Sequence, residues 1–332
     1  MENNRAIQNQ LNFEFRGNGM EYFKIWIVNI LLTILTLGIY SAWATVRNRR
    51  YFYSNTVLDN TSFSYLADPI NILKARVIAV SAFIVYSVVS GLSPVAGIAI
   101  LLVLLLLFPY FLNKSLAFNH RMSAYKNIQF RFSASYKQAF MVMYVWPLLG
   151  MLTLGILYPL VFVKVNEYMV KNSAYGTSKF DFNAGYKDYG IIFLIMIGVG
   201  LLFGAIVWAI SVFVPALAFS VPVLMAVIYF GLIVYFMVET SNLFYRSTIL
   251  GEHGFTANLT MAGLAKVIIT NAFFILITLG LYLPAAKVRM AKYMCSCLVM
   301  NAAGSLDTHA AAEKENISAL GEQFGEVFDF GM

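Results

Sequence analysis

Two stretches of this sequence carry no charge: 37 residues separate Arg76 from Lys114, and 50 separate Asp188 from Glu239. A helix crosses the hydrocarbon of a bilayer with about 20 apolar residues, so each stretch is long enough for two crossings. The turns between them are marked by Gly91-Leu92-Ser93-Pro94 in the first and by the segment from Pro215 to Pro222 in the second, since proline removes a helix donor. Composition agrees, with 60% hydrophobic residues against 12% charged, where soluble chains carry about a quarter charged. The chain reads as a multi-pass membrane protein.

The second constraint is repetition. Thr-Leu-Gly occurs as TLGIY from Thr36, TLGIL from Thr153 and TLGLY from Thr278. A base follows eleven residues after each Thr (Arg47, Lys164, Arg289), and a tyrosine fifteen after (Tyr51, Tyr168, Tyr293). Interleaved with these is an aromatic doublet starting at Phe13, Phe63, Phe130 and Phe180, with a single Phe at Phe255. Seven residues before the later copies lies a hydroxyl, at Thr56, Ser123, Ser173 and Thr248. The stretches FYSNTVLDNTSFS from Phe52 and FYRSTILGEHGFT from Phe244 are therefore equivalent linkers. The expected organisation is a polar segment 1–12, short units 13–62, 130–179 and 255–302, long transmembrane hairpin units 63–129 and 180–254, and an acidic tail 303–332. The Phe-x-Phe doublets alternate at period two and are expected as short extended segments beside the membrane.

The short units hold charge-free windows of only 22, 26 and 20 residues. Each either crosses once or folds into a shallow hairpin with Thr-Leu-Gly at its tip. Hairpins keep every Lys and Arg on one face, which suits the retention of cations on the cytoplasmic side. The expected class is thus all-α: internal repeats of helical hairpins, four full crossings plus three shallow hairpins or single crossings, with short extended cytoplasmic linkers and both termini cytoplasmic. The first twenty residues hold no apolar run, so no cleavable signal is expected there.

The runs FEFRGNGMEYF, TLGIYSAWATVRNRRYFYSNT and GEQFGEVFDFGM resemble the YjgN family of bacterial inner-membrane proteins, a domain of unknown function. The similarity extends over nearly the whole chain. The family commonly has Pro where this chain has Ala42, and Pro159 and Pro284 hold that offset in the other copies. The resemblance implies a multi-pass protein of a Gram-negative inner membrane; it implies no activity and no catalytic residues.

Chemistry is sparse. His120, His253 and His309 stand singly, without a second ligand at metal spacing, and no phosphate-binding loop, dinucleotide fingerprint or nucleophile elbow occurs. No catalytic residue, metal or cofactor is expected, and the chain is not expected to be an enzyme. Cys295 and Cys297 point to different faces of a helix and are expected as packed thiols. No ionisable residue falls inside the five windows, which disfavours carboxylate-driven proton transport. Passive passage or binding of a small solute between repeats is the leading reading, with Gly38, Gly155 and Gly280 as helix-break tips. The alternative is an anionic-phospholipid-binding or envelope scaffold protein, with Arg47, Arg49 and Arg50 as headgroup ligands and Tyr51 and Trp43 as interfacial anchors. Membrane lipids are the expected partners and nucleic acid is not, because the pI near 9.2 follows from orientation. The tail holds six acids against one cation, Lys314, and ends in Phe324, Val327 and Phe328 at helical spacing, expected as a short amphipathic docking turn.

Overall fold

A computed structural model describes residues 9–304 together with Leu306, Glu313 and Glu315. The docking turn expected around Phe324 lies outside the described residues.

The chain alternates strands with pairs of helices. β1 (Asn9–Phe15) leads into α1 (Gly19–Leu35) and α2 (Ser41–Asn55), then β2 (Thr56–Leu58) and β3 (Thr61–Tyr65). The long pair α3 (Pro69–Leu92) and α4 (Pro94–Arg121) is followed by β4 (Ser123–Tyr125) and β5 (Ile128–Phe132). Next come α5 (Tyr136–Phe140), a π-helical turn (Met141–Val145), α6 (Trp146–Leu152) and α7 (Tyr158–Lys171), then β6 (Ser173–Tyr175) and β7 (Ser178–Phe182). The second long pair is α8 (Tyr186–Phe213) and α9 (Val221–Arg246), joined by a 3₁₀ turn (Pro215–Ser220). β8 (Thr248–Leu250), β9 (His253–Ala257), α10 (Met261–Ile277), α11 (Leu283–Cys297) and β10 (Leu298–Ala302) complete it.

The strands close into one antiparallel ten-stranded barrel in sequence order, with β1 pairing both β2 and β10. This overturns the expected all-α class. The linkers expected as short extended segments are extended, and they pair with one another as strands. Their signal was weak because most strands are three or five residues long, which allows only one or two alternations between faces. Half of the pairings also bridge a whole helix pair, as in Phe15 opposite Thr56 and Phe182 opposite Thr248, and no local pattern announces such a partner. The tight turns are legible afterwards: Asp59-Asn60 and Lys126-Asn127 hold positive φ at both central residues, and Gly176 and Gly251 at the first, as two-residue hairpin turns require.

Four helices are long and apolar enough to span a membrane: α3, α4, α8 and α9. At 24 to 28 residues they measure about 36 to 42 Å against a hydrocarbon core of about 30 Å. Their apolar side chains, such as Val77, Leu102 and Leu201, are exposed along their length, as lipid-facing surface must be. The short pairs reverse direction within themselves: Tyr22 stacks on Tyr51 and Asn29 bonds Asn48 across α1 and α2. The second helix of each pair packs on the first of the next (α2 on α3, α4 on α5, α7 on α8, α9 on α10), and α11 returns to α1. The helices thus form a closed ring rooted on one barrel.

Candidate functional site

The barrel lumen is a cavity of about 420 Å³ with an almost wholly apolar wall. Phe13, Phe63, Phe130 and Phe180, the first aromatic of each doublet, and the single Phe255 all line it, with Leu58, Tyr125, Tyr175, Leu250 and Met300 from the intervening strands. Period-two alternation dictates this: every second strand residue faces the axis, while Glu14, Gln129 and Lys179 are exposed between them. The rings touch, Phe63 lying 4.7 Å from Tyr125 and Phe130 5.2 Å from Tyr175 between centroids. Burial raises the Tyr175 phenol above its ordinary range, with Tyr125 and Glu313 adding to the shift, so the wall is neutral at physiological pH. Two residues on, Phe15, Tyr65, Phe132 and Phe182 are buried where the strands meet the helices.

The recurring hydroxyls stand where a helix becomes a strand. Thr56, Ser123, Ser173 and Thr248 each donate to the carbonyl four residues back, at 2.9, 2.9, 2.6 and 2.8 Å. Each therefore adds a side-chain hydrogen bond to a carbonyl of the last helical turn, and each lines a cavity. Leu298 holds the fifth position. A second chamber of about 460 Å³ adjoins the lumen, with Phe63, His120 and Phe130 in both walls. Its own wall is more polar and includes Tyr53, Thr56, Asn119 and Ser123. His120 bonds Leu116 O at 2.8 Å and Ser173 Oγ at 3.1 Å, and its ring packs on Phe132.

At the hairpin-turn end, Leu306 is buried in the lumen cluster. Glu313, 3% exposed, accepts from Thr177 N at 2.6 Å, from Thr177 Oγ1 at 2.7 Å and from the Ser178 hydroxyl. His253 Nδ1 accepts from Ala303 N at 3.1 Å and fixes where the chain leaves β10. No local pattern points to Glu313, because its partners lie more than 130 residues away in a turn.

The three arginines expected at a headgroup point to three places. Arg47 donates to Asn29 Oδ1 (3.2 Å) and Tyr40 OH (3.0 Å) between α1 and α2. Arg49 donates to Tyr65 OH at 2.8 Å and to Asn119 of α4. Arg50 donates to Ala67 O at 3.0 Å, in the loop before α3. Tyr51 OH, buried, grips the backbone of Asn18, accepting from its N–H at 2.7 Å and lying 2.9 Å from its carbonyl, while Trp43 stacks on Tyr40. The copies explain the spacing. Arg289 meets Asn271 and Tyr282 as Arg47 meets Asn29 and Tyr40, and Tyr293 OH grips Thr260 as Tyr51 grips Asn18. Lys164 instead pairs with Glu167, and Tyr168 reaches the α5 cap through Asn113, which bonds Ser135 O.

Gly38, Gly155 and Gly280 sit at the tips with φ near +92°, and neither cavity includes them. Each closes a C-cap in which its N–H reaches the carbonyl five residues back, Thr33, Gly150 or Ile275. Cys295 and Cys297 are free thiols. Among the described residues, no three His, Cys, Asp or Glu side chains converge as a metal site would need.

A sequence profile describing bacterial proteins of unknown function, the DUF898 family, matches residues 10–327. The inner membrane protein YjgN of Salmonella typhimurium is 37% identical over 144 residues, covering 42% of this chain and 36% of that protein. YjgN of Escherichia coli K12 is 34% identical over 145 residues, covering 43% and 36%. The match thus spans little more than a third of those relatives' length. No solved structure matches the chain.

Proposed function

Because the chain belongs to the DUF898 family of bacterial proteins of unknown function, we propose its role from its own geometry: it binds a small apolar molecule, a solute or a lipid chain, inside the barrel. The observation that carries this is the aromatic-walled lumen of about 420 Å³. Its size lies in the range of small-molecule sites, and an apolar wall with a few polar groups at one end is how such sites are built. Binding rather than catalysis suits a wall whose tyrosines are spent on backbone carbonyls, Tyr125 on Leu58 and Tyr175 on Tyr125.

Location and orientation follow the same reading. The relatives are named inner membrane proteins, and we place this chain there too, with the barrel and both termini in the cytoplasm. The five tips carry no cation, while Arg49, Arg121, Lys126, Arg131, Lys179 and Arg246 lie at the barrel end, the side on which cations are retained. The five strand–helix–helix–strand segments are read as copies of one unit. Passage of a solute along the axis is the second reading, favoured by the contact between the two chambers at Phe63, His120 and Phe130.

Native mass spectrometry of protein extracted in mild detergent tests the binding reading. An adduct of defined mass is expected on the wild type and is lost in Leu250→Trp, which fills the lumen. A bare wild-type mass under conditions that retain annular lipid, or an adduct unchanged in Leu250→Trp, overturns it.

A further inference from the structure

The chamber beside the lumen has a different chemistry from the lumen itself. Tyr53 OH and Ser123 Oγ bond each other at 2.9 Å on its wall. Asn119, also on the wall, gives its carbonyl oxygen to Arg49, which leaves its amide N–H group without a protein partner among the described residues. Arg49 lies over the Tyr65 ring at 5.2 Å and bonds the Tyr65 hydroxyl. No carboxylate stands within 4 Å of Arg49 among the described residues, whereas Lys126, Lys164 and Lys171 all have one. A cation held by neutral groups beside this more polar chamber has no counter-charge from them, and an anion brought into the chamber gains from it.

We propose that the second chamber is the head site of a single-chain amphiphile, an anionic group accepting from the Asn119 amide N–H beside the Tyr53–Ser123 pair and under the field of Arg49, with its hydrocarbon chain lying in the barrel. This rests on the lumen reading above and names the class of molecule. The chemistry is an anion on one acyl chain, supplied either by a long-chain carboxylate or by a lysophosphate. The two cavities share Phe63, His120 and Phe130 in their walls, so a chain passing from one to the other would cross between these side chains. A two-chain phospholipid does not fit, because one lumen of about 420 Å³ adjoins one chamber of about 460 Å³. Arg47 and Arg50 take no part; they serve α1 and the loop before α3.

The test titrates full-length protein in a nonionic detergent with oleate, 1-oleoyl-lysophosphatidate and oleyl alcohol, following binding by native mass spectrometry and calorimetry. At least one anion is expected to bind about tenfold or more tightly than the alcohol, the size of one charge-assisted contact. The tighter anion identifies the source. Arg49→Gln removes the difference while leaving the alcohol unchanged, and Arg49→Lys restores part of it. If Arg49→Gln does not fold, Asn119→Ala, which removes the amide donor, is expected to narrow the same gap between the tighter anion and the alcohol. An alcohol as tight as both anions, or a gap that survives in the folded variants, sinks the head site and leaves the lumen reading standing. Failure of all three chains to bind removes the lumen reading, and the head site with it.

Discussion

At the scale of single residues, the threonine of Thr-Leu-Gly explains more than the glycine beside it. Thr36 Oγ1 donates to Leu32 O at 2.7 Å and accepts from Tyr40 N at 2.9 Å, so one hydroxyl ends α1 and starts α2. Thr153 and Thr278 repeat the bridge to Leu157 and Tyr282. Thr278→Val is expected to lower stability by about 1 kcal/mol, read as a fall in melting temperature in detergent, while Thr278→Ser holds it. Pro109 makes a similar demand inside α4. It cannot donate to Leu105 O, and Tyr144 OH reaches that carbonyl at 2.6 Å, as Tyr136 OH reaches Leu106 O at 2.7 Å. Tyr144→Phe is expected to cost about 1 kcal/mol and Tyr144→Phe with Pro109→Ala less, because alanine restores the missing donor. The motif spacings were visible in the sequence because each copy solves the same local problem. The partners of Tyr144 and Glu313 were not, since they are set only when distant elements meet.

At the scale of elements, the hairpin turns separate two costs that are usually confounded. Gly176 and Gly251 occupy equivalent turns with φ of +62° and +58°. A side chain at Gly251 would meet nothing within 4 Å, whereas at Gly176 its Cβ would lie 2.4 Å from Glu313 Oε2. Gly251→Ala is therefore expected to cost only the left-handed backbone term, about 1 to 2 kcal/mol. Gly176→Ala costs that plus displacement of a buried carboxylate. In a Glu313→Ala background the excess at Gly176 should shrink to what the remaining contact with Ile128 Cγ2, at 3.2 Å, costs, which a double-mutant cycle on melting temperature measures. An excess at Gly176 that is undiminished without Glu313 would show that the buried carboxylate is not its cause. The long helices were legible for a simple reason: an uninterrupted apolar run of that length has one stable solvent. The strands were not, because Thr56–Leu58 or Ser173–Tyr175 carries too few residues to show a period, and closure of the barrel is what gives them partners.

At the scale of the whole molecule, barrel and helix ring impose the same geometry on every tip. All ten helix-to-strand junctions lie at the barrel, so each helix pair must return to the side from which it left. The long pairs reach their turn at Leu92 and in the segment from Pro215 to Ser220; the short ones, at 17 residues for α1 and α10, extend about 25 Å, less than the roughly 30 Å of a hydrocarbon core. Leu37, Leu154 and Leu279 at the short tips are more than 90% exposed, which is affordable in lipid and costly in water. Single cysteines placed in a Cys295→Ser, Cys297→Ser background and probed with a membrane-impermeant maleimide on intact cells and on inverted vesicles read this arrangement directly. Leu92→Cys is expected to label from outside only, Asn60→Cys from inside only, and Leu37→Cys from neither. Labelling of Leu37→Cys from outside with Asn60→Cys still inside would mean that the short pairs reach the far surface through a thinned bilayer. Labelling of Asn60→Cys from outside would invert the molecule and turn the lumen, with whatever it holds, toward the periplasmic face.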